Sequence, residues 1–253
     1  MAGDLIELAL GHQGGLGEEV AALLLGILYP ALHQLDHPGA LGQQDRQALA
    51  DDINGGEVFQ LTDIALLKSI AKYLASVVGS PVSIRSIADY LISSGRKVSP
   101  NTVDDYVDAL TESFIFYPAE RFDIVGKKLL KVSKKFYIVD LGLRNHILPR
   151  RNYDLGFSLE NIVYFELLRR GYKVMIGKLG STEVDFVAER QGEYIYYQVT
   201  ADMSAQETFE REMRPLKLIR DNYEKFVLTA DRLTVGNYNG IRVKNLTDWL
   251  LEN

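Results

Sequence analysis

The sequence predicts an α/β (α+β) protein: a winged helix-turn-helix followed by a second α/β domain. Three observations carry this reading. Residues 62–114 hold three successive stretches whose apolar residues recur at the spacing of one helical face. Residues 114–140 read as two strands around a lysine-rich excursion. From residue 158 onward, helical patterns alternate with short runs rich in β-branched and aromatic residues.

The elements follow in order. "TDIALLKSIAKYLASVV" places Ile64, Leu67, Ile70, Ala71 and Leu74 on one face, with Thr62 or Asp63 able to cap the start. "SIRSIADYLISSG" starts a second helix at Ser83 and ends it at Gly95. "VSPNTVDDYVDALTESF" opens on Ser99 as cap and Pro100 at the first helical position, with Val103, Val107, Leu110 and Phe114 as its buried stripe. "FIFYPAERFDI" reads as a strand, "GKKLLKVSKK" as a basic excursion and "FYIVD" as the return strand. Three helices and a hairpin make a winged helix. Beyond it come a helix over "SLENIVYFELLRRG" capped by Ser158, a strand over "YKVMIGKL", and a hairpin over "EVDFVAER" and "EYIYYQVT". "ETFEREMRPLKLIRDNY" is a helix that Pro215 should kink or break. "KFVLTAD" is a strand, and "GIRVKNLTDWLLEN" gives a short strand and a closing helix. The order of the second domain is α-β-β-β-α-β-β-α. The domains expected are 1–56, a helical or linker segment of different texture; 57–150, the winged helix; and 151–253, the second α/β domain.

Composition narrows the function classes. Hydrophobic residues are 47% and charged residues 25%, as in ordinary globular chains. There is no cysteine, which excludes disulfides, cysteine metal sites and a thiol nucleophile. The start is acidic, unlike a secretory signal. The most apolar run, Val20–Leu32, has 13 residues, short of the roughly 20 a spanning helix needs. A cytoplasmic protein without a membrane role is expected. The formal charge of −6 sits unevenly: residues 1–56 hold eight acids against one arginine, and the remainder is near neutral. Any nucleic-acid contact must therefore come from a local patch.

Two patches qualify. The start of the third helix offers Arg96, Lys97, Asn101 and Thr102, although its outward face carries Asp104, Asp105, Asp108 and Glu112. The hairpin offers Lys127, Lys128, Lys131, Lys134 and Lys135, of which the first three are the expected phosphate contacts. "HQLDH" puts His33 and His37 at i, i+4, but no third ligand accompanies them, so a surface helix is the better reading.

"LLKSIAKYLASVVGSPVSIRSIADYL", "FYIVDLGLRNHIL", "LENIVYFELLRRGYKV" and "EVDFVAERQGEYIYYQVT" together resemble the C-terminal region of a large family of prokaryotic AAA+ ATPases, the archaeal-ATPase-like group. There a P-loop module precedes a winged helix and a PD-(D/E)XK restriction-endonuclease-like domain. The resemblance covers residues 57–253 and is most specific from Leu159 to Val199. No G-x-x-x-x-G-K-[ST] occurs, so ATP binding is expected only of an ATPase module that this chain lacks.

The resemblance implies a site. In the nuclease family one acid comes from the first helix, one from the second strand, and an acid-x-lysine pair from the third. Glu160 matches the helix acid and Asp185 the second-strand acid; both are candidate Mg²⁺ ligands, since that ion prefers hard oxygen donors. Gln198 stands at the third-strand acid position and Thr200 at the lysine position. Strand alternation points the two the same way. Gln198 offers only a neutral amide oxygen, and Thr200 places no positive charge, a role that Lys173, Lys178 or Lys217 would have to assume. The same residues also read as a plain buried hairpin whose polar groups satisfy one another. The expected function is a nucleic-acid or partner-recognition module with a degenerate, inactive PD-(D/E)XK site and no resident cofactor, its partners being DNA, a protein or an ATPase module. The alternatives are an active Mg²⁺-dependent DNA nuclease and a structural oligomerisation module without nucleic acid.

Overall fold

The structure, a computed structural model, describes residues 63–148 and 155–252; the side chains of Lys131, Val132 and Leu155 are outside the description. The expected helices of residues 1–56, with His33 and His37, and the capping role of Thr62 fall outside the described residues. The described chain forms two compact units. One holds residues 63–77, 84–117 and 138–148; the other holds 78–83, 118–137 and 155–252.

The first unit is helical. Helix α1 spans Ile64–Ser76, and Asp63 caps it by accepting from the Leu66 N–H at 2.8 Å. Leu66, Leu67, Ile70, Leu74 and Ala75 are buried, whereas Ile64 is exposed. The apolar face is thus rotated slightly from the one the spacing predicts. In the second unit, the two-residue strand β1 (Pro81–Val82) precedes helix α2 (Ile84–Ser93) of the first. Helix α3 spans Pro100–Glu112, with the Ser99 hydroxyl accepting from the Thr102 N–H at 3.1 Å. That start is the one the Ser-Pro pair predicts. Val103, Tyr106, Val107 and Leu110 are its buried stripe. Phe114 lies beyond the helix in a left-handed conformation and is exposed, because the chain turns there instead of continuing the stripe.

The second unit is built on a nine-stranded mixed sheet. The strands are β1, β2 (Phe116–Asp123), β3 (Lys128–Ile138), β4 (Lys173–Leu179), β5 (Thr182–Arg190), β6 (Glu193–Thr200), β7 (Glu224–Thr229), β8 (Gly236–Tyr238) and β9 (Ile241–Asn245). Their order is β1-β3-β2-β4-β5-β6-β7-β9-β8. Helix α4 (Leu141–Ile147) belongs to the first unit; α5 (Leu155–Arg169), α6 (Gln206–Leu218) and α7 (Leu246–Leu251) belong to the second. The β4–β5 and β5–β6 pairs are antiparallel, while β6–β7 and β7–β9 are parallel. Strands β1 and β8, only two and three residues long, are additional to those the sequence pattern predicts.

Strands β2 and β3, expected to form a free wing, are built into this sheet. Strand β2 runs parallel to β4, with Arg121, Phe122 and Asp123 opposite Ile176, Gly177 and Lys178. The reason is apolar: Phe122 and the following Ile124 join the core of Met175, Val184, Val187, Tyr196, Met213, Leu216 and Val227. A hairpin carrying such residues gains more from burial than from projecting into water. Helix α6 supplies Met213 and Leu216 to that core and runs through Pro215, ending at Leu218. Helix α5 begins at Leu155, one turn earlier than the Ser158 cap predicts, and buries Val163, Tyr164 and Leu167. Tyr164 stacks on Tyr137 of β3 with ring centroids 4.3 Å apart.

Candidate functional site

A bulge aims the central acid. Gly177 pairs with Val184 and Met175 pairs with Val187, so β5 has two residues, Asp185 and Phe186, where β4 has Ile176 alone. Such an extra residue bends the strand and redirects its side chains. Asp185 is 9% exposed, and one of its carboxyl oxygens accepts the Val199 N–H at 2.8 Å. Next to it on β6, Gln198 donates its amide N–H to Glu212 of α6 at 3.2 Å. Arg211 holds the other Glu212 oxygen at 2.8 Å. These groups line an open cleft of about 480 Å³ with Ser181, Thr182, Glu183, Arg214 and Pro215.

Beside the cleft sits a buried cation. The Lys135 ammonium, on β3, lies 2.8 Å from Glu183 and 3.5 Å from Glu160 of α5. Arg121 on β2 reaches the other Glu183 oxygen at 3.2 Å. The Tyr137 hydroxyl is 3.5 Å from Glu160. Lys135 and Tyr137 are two residues apart on one strand, so alternation presents both to α5.

Burial sets the electrostatics. Asp185 is pushed well above the ordinary carboxylate range, first by desolvation and then by the charge of Glu160, with Lys135 and the Val199 N–H opposing. Glu160 is also raised by burial, against the pull of Lys135. For Lys135, burial disfavours the ammonium, but Glu160, Asp185 and Glu183 together outweigh it and the net shift is upward. The lysine therefore stays charged while Asp185 and Glu160 resist ionisation.

The site predicted from sequence is thus assembled in part. Glu160, Asp185 and Gln198 share one neighbourhood through Lys135 and the cleft. Thr200 does not join them: its hydroxyl donates to the Asp202 carbonyl at 3.2 Å. The ammonium beside these acids is that of Lys135; Lys173, Lys178 and Lys217, weighed for that place, ion-pair with none of them. Glu212 was also missed, although its signal was present. Phe209, Glu212, Met213 and Leu216 follow the i, i+3, i+4, i+7 spacing, which places an acid on a buried helical stripe.

The expected nucleic-acid contacts are scattered. Lys97 and Asn101 are exposed, Arg96 pairs with Asp63 at 3.0 Å, and Thr102 bonds the capping Ser99. Lys128 is exposed, and the Lys131 side chain is outside the described residues. Lys127 is engaged: its ammonium lies 3.1 Å from Asp221 and 2.9 Å from the Tyr196 hydroxyl. It also sits 4.7 Å from the Tyr194 ring centre and 5.3 Å from that of Tyr223. Among the described residues, no helix is long and apolar enough to cross a membrane.

The chain is 40% identical over 190 residues to an uncharacterized protein of Haemophilus influenzae, covering 75% of this chain and 47% of that protein. It is 24% identical over 182 residues to an uncharacterized protein of Methanocaldococcus jannaschii, covering 68% of this chain and 40% of that protein. The chain spans less than half the length of both curated relatives. Neither relative's name states an activity. Residues 24–154, just over half of the sequence, match one family, and the chain belongs to it: the domain of unknown function DUF8612.

Proposed function

We propose that the second unit is a PD-(D/E)XK-like domain that recognises a nucleic acid or a protein partner without cleaving phosphodiesters, within a larger AAA+-like protein. The element order α5-β4-β5-β6-α6-β7, with an acid on α5 and another on β5, supports the likeness. The observation that carries the absence of cleavage is Lys135. Its ammonium is already paired with Glu160, one of the two carboxylates expected to hold a divalent ion, and with Glu183. The remaining donors fit Mg²⁺ poorly: Asp185 has committed one oxygen to the Val199 N–H, and Gln198 offers a neutral amide. Among the described residues, no three His, Cys, Asp or Glu side chains are grouped to hold a metal ion.

A second reading has one observation in its favour. Lys135 brings to the acids the positive charge that Thr200 cannot supply, as an active Mg²⁺-dependent nuclease requires. One experiment separates the two. The purified chain is incubated with single- and double-stranded DNA, with Mg²⁺ or Mn²⁺. No cleavage above that of Asp185→Ala is expected. Metal-dependent cleavage that disappears in Asp185→Ala overturns the proposal and establishes the nuclease.

A further inference from the structure

We infer that the cleft between β5, β6 and α6 binds one guanidinium group, presented as an arginine side chain by a protein partner. The inference rests on the proposal of a cleft that recognises without cleaving, and it names what is recognised.

Two acceptors on the cleft lack donors among the described residues. Asp185 and Gln198 are each at least nine-tenths buried and both line the cleft. The Gln198 carbonyl oxygen has no hydrogen-bond partner. Its orientation is fixed, because the amide N–H donates to Glu212 and a flip would set the carbonyl against that carboxylate. Asp185 uses one oxygen on the Val199 N–H, and among the described residues no hydrogen bond reaches the other. Buried polar groups of this kind ordinarily have partners. Since both are acceptors, the missing partner is a donor.

Charge selects a monocation. Around the site, Glu160, Glu183, Asp185 and Glu212 face Lys135, Arg121 and Arg211. Lys135 and Arg121 hold Glu160 and Glu183, and Arg211 holds Glu212, whereas no ion pair among the described residues reaches Asp185, whose raised carboxyl a cation would draw into its charged form. A monocation balances it. A divalent ion overshoots and must accept the amide as a ligand, and a neutral donor leaves Asp185 unpaired. Arg214 is exposed at the rim and makes no ion pair among the described residues. Shape favours guanidinium over ammonium. The acceptors come from adjacent strands, and a planar fork of N–H groups can meet two acceptors at once. At about 480 Å³ the cleft is larger than the head group, leaving room for the aliphatic stem to lie against Thr182 and Pro215.

The test uses the full chain labelled with ¹⁵N, reading the Val199 backbone amide and the Gln198 side-chain amide. The probes are arginine capped at both termini, its uncharged isostere capped citrulline, MgCl₂ and deoxyadenosine monophosphate. Capped arginine is expected to shift both signals saturably, with Kd on the order of millimolar for a single side chain. Citrulline should bind at least about tenfold more weakly, since it lacks the charge-assisted hydrogen bond. Asp185→Asn should weaken arginine binding by a similar factor, and Gln198→Met, which removes the carbonyl acceptor at similar bulk, should weaken it too, as read on the Val199 amide. Absence of a saturable shift, equal binding of citrulline, or tighter binding of Mg²⁺ or the nucleotide than of arginine overturns the inference. DNA cleavage by the same sample would sink the underlying proposal as well. A lack of arginine binding without cleavage sinks this inference alone.

Discussion

Lys127 and Lys135 belong to one lysine-rich stretch and look interchangeable in the sequence, yet the fold uses them in opposite ways. Lys135 is 5% exposed and lies among Glu160, Glu183 and Asp185. The Lys127 side chain is 38% exposed, paired with Asp221 and flanked by Tyr194, Tyr196 and Tyr223. The two acid environments are also shifted in opposite directions. Asp185 is raised, chiefly by desolvation. Asp221 is lowered, because hydrogen bonds from Tyr196 and Lys127 outweigh its own desolvation. The difference teaches that an ion pair's worth is set by what surrounds it. A buried cation is costly to remove because it leaves uncompensated charge behind; a half-exposed one is replaced by water.

The largest effect should therefore come from Lys135→Met. Removing one partner of a buried ionic group typically costs about 3–5 kcal/mol. Urea unfolding at pH 7 should show a loss of that order, and the loss should shrink as pH falls, because the raised pKa values of Glu160 and Asp185 bring on their neutral forms earlier than for ordinary carboxyls. A loss below about 1 kcal/mol at pH 7 would place Lys135 with the exposed pairs.

Much of this architecture could be read from residues, and the unread parts share a cause. The caps at Asp63 and Ser99 and the hairpin Glu183–Thr200 depend on neighbours in sequence, and all were legible. The placement of Asp185 and Gln198 on adjacent strands followed from alternation and a short turn. Lys135 was not legible, because its burial depends on Glu160 and Glu183, which lie on α5 and β5 far along the chain. The merging of β2 with β4 was hidden for the same reason: a parallel pair has no turn to announce it. The bulge at Asp185 is a one-residue mismatch between strands, and neither strand's own pattern shows it.

Asp185→Asn tests the buried side of the comparison with an intermediate effect. A carboxyl group whose folded pKa is raised binds protons more tightly in the folded state than in the unfolded state. Its stability cost is absent below the unfolded pKa and grows as pH rises through the folded one. Asn keeps an acceptor for the Val199 N–H and carries no charge. The variant should match the parent near pH 4 and gain thermal stability relative to it as pH rises toward 8. A variant that is less stable than the parent across this range would mean that Lys135 more than repays the burial of Asp185.

The smallest effect belongs to the other lysine, and its pH dependence runs the opposite way. Asp221 is lowered, so the unfolded state binds protons more tightly there. Its contribution is fully present above the unfolded carboxylate pKa and fades as pH falls through the folded one. Asp221→Asn should therefore cost stability at pH 7, and the cost should disappear on acidification, where Asp185→Asn also matches its parent. Lys127→Met removes the same pair from its cationic side. Solvent screening limits the ion pair to about 0–1 kcal/mol, and the cation–π contact with the half-buried rings adds about 0.5–1 kcal/mol. Methionine retains the stem against Tyr194 and Tyr223 while losing the charge, so the loss should be near 1 kcal/mol and should shrink in 1 M salt. A salt-independent loss approaching that of Lys135→Met would show that the tyrosines shield Lys127 from water as fully as the sheet shields Lys135, and the distinction between the two lysines would fail.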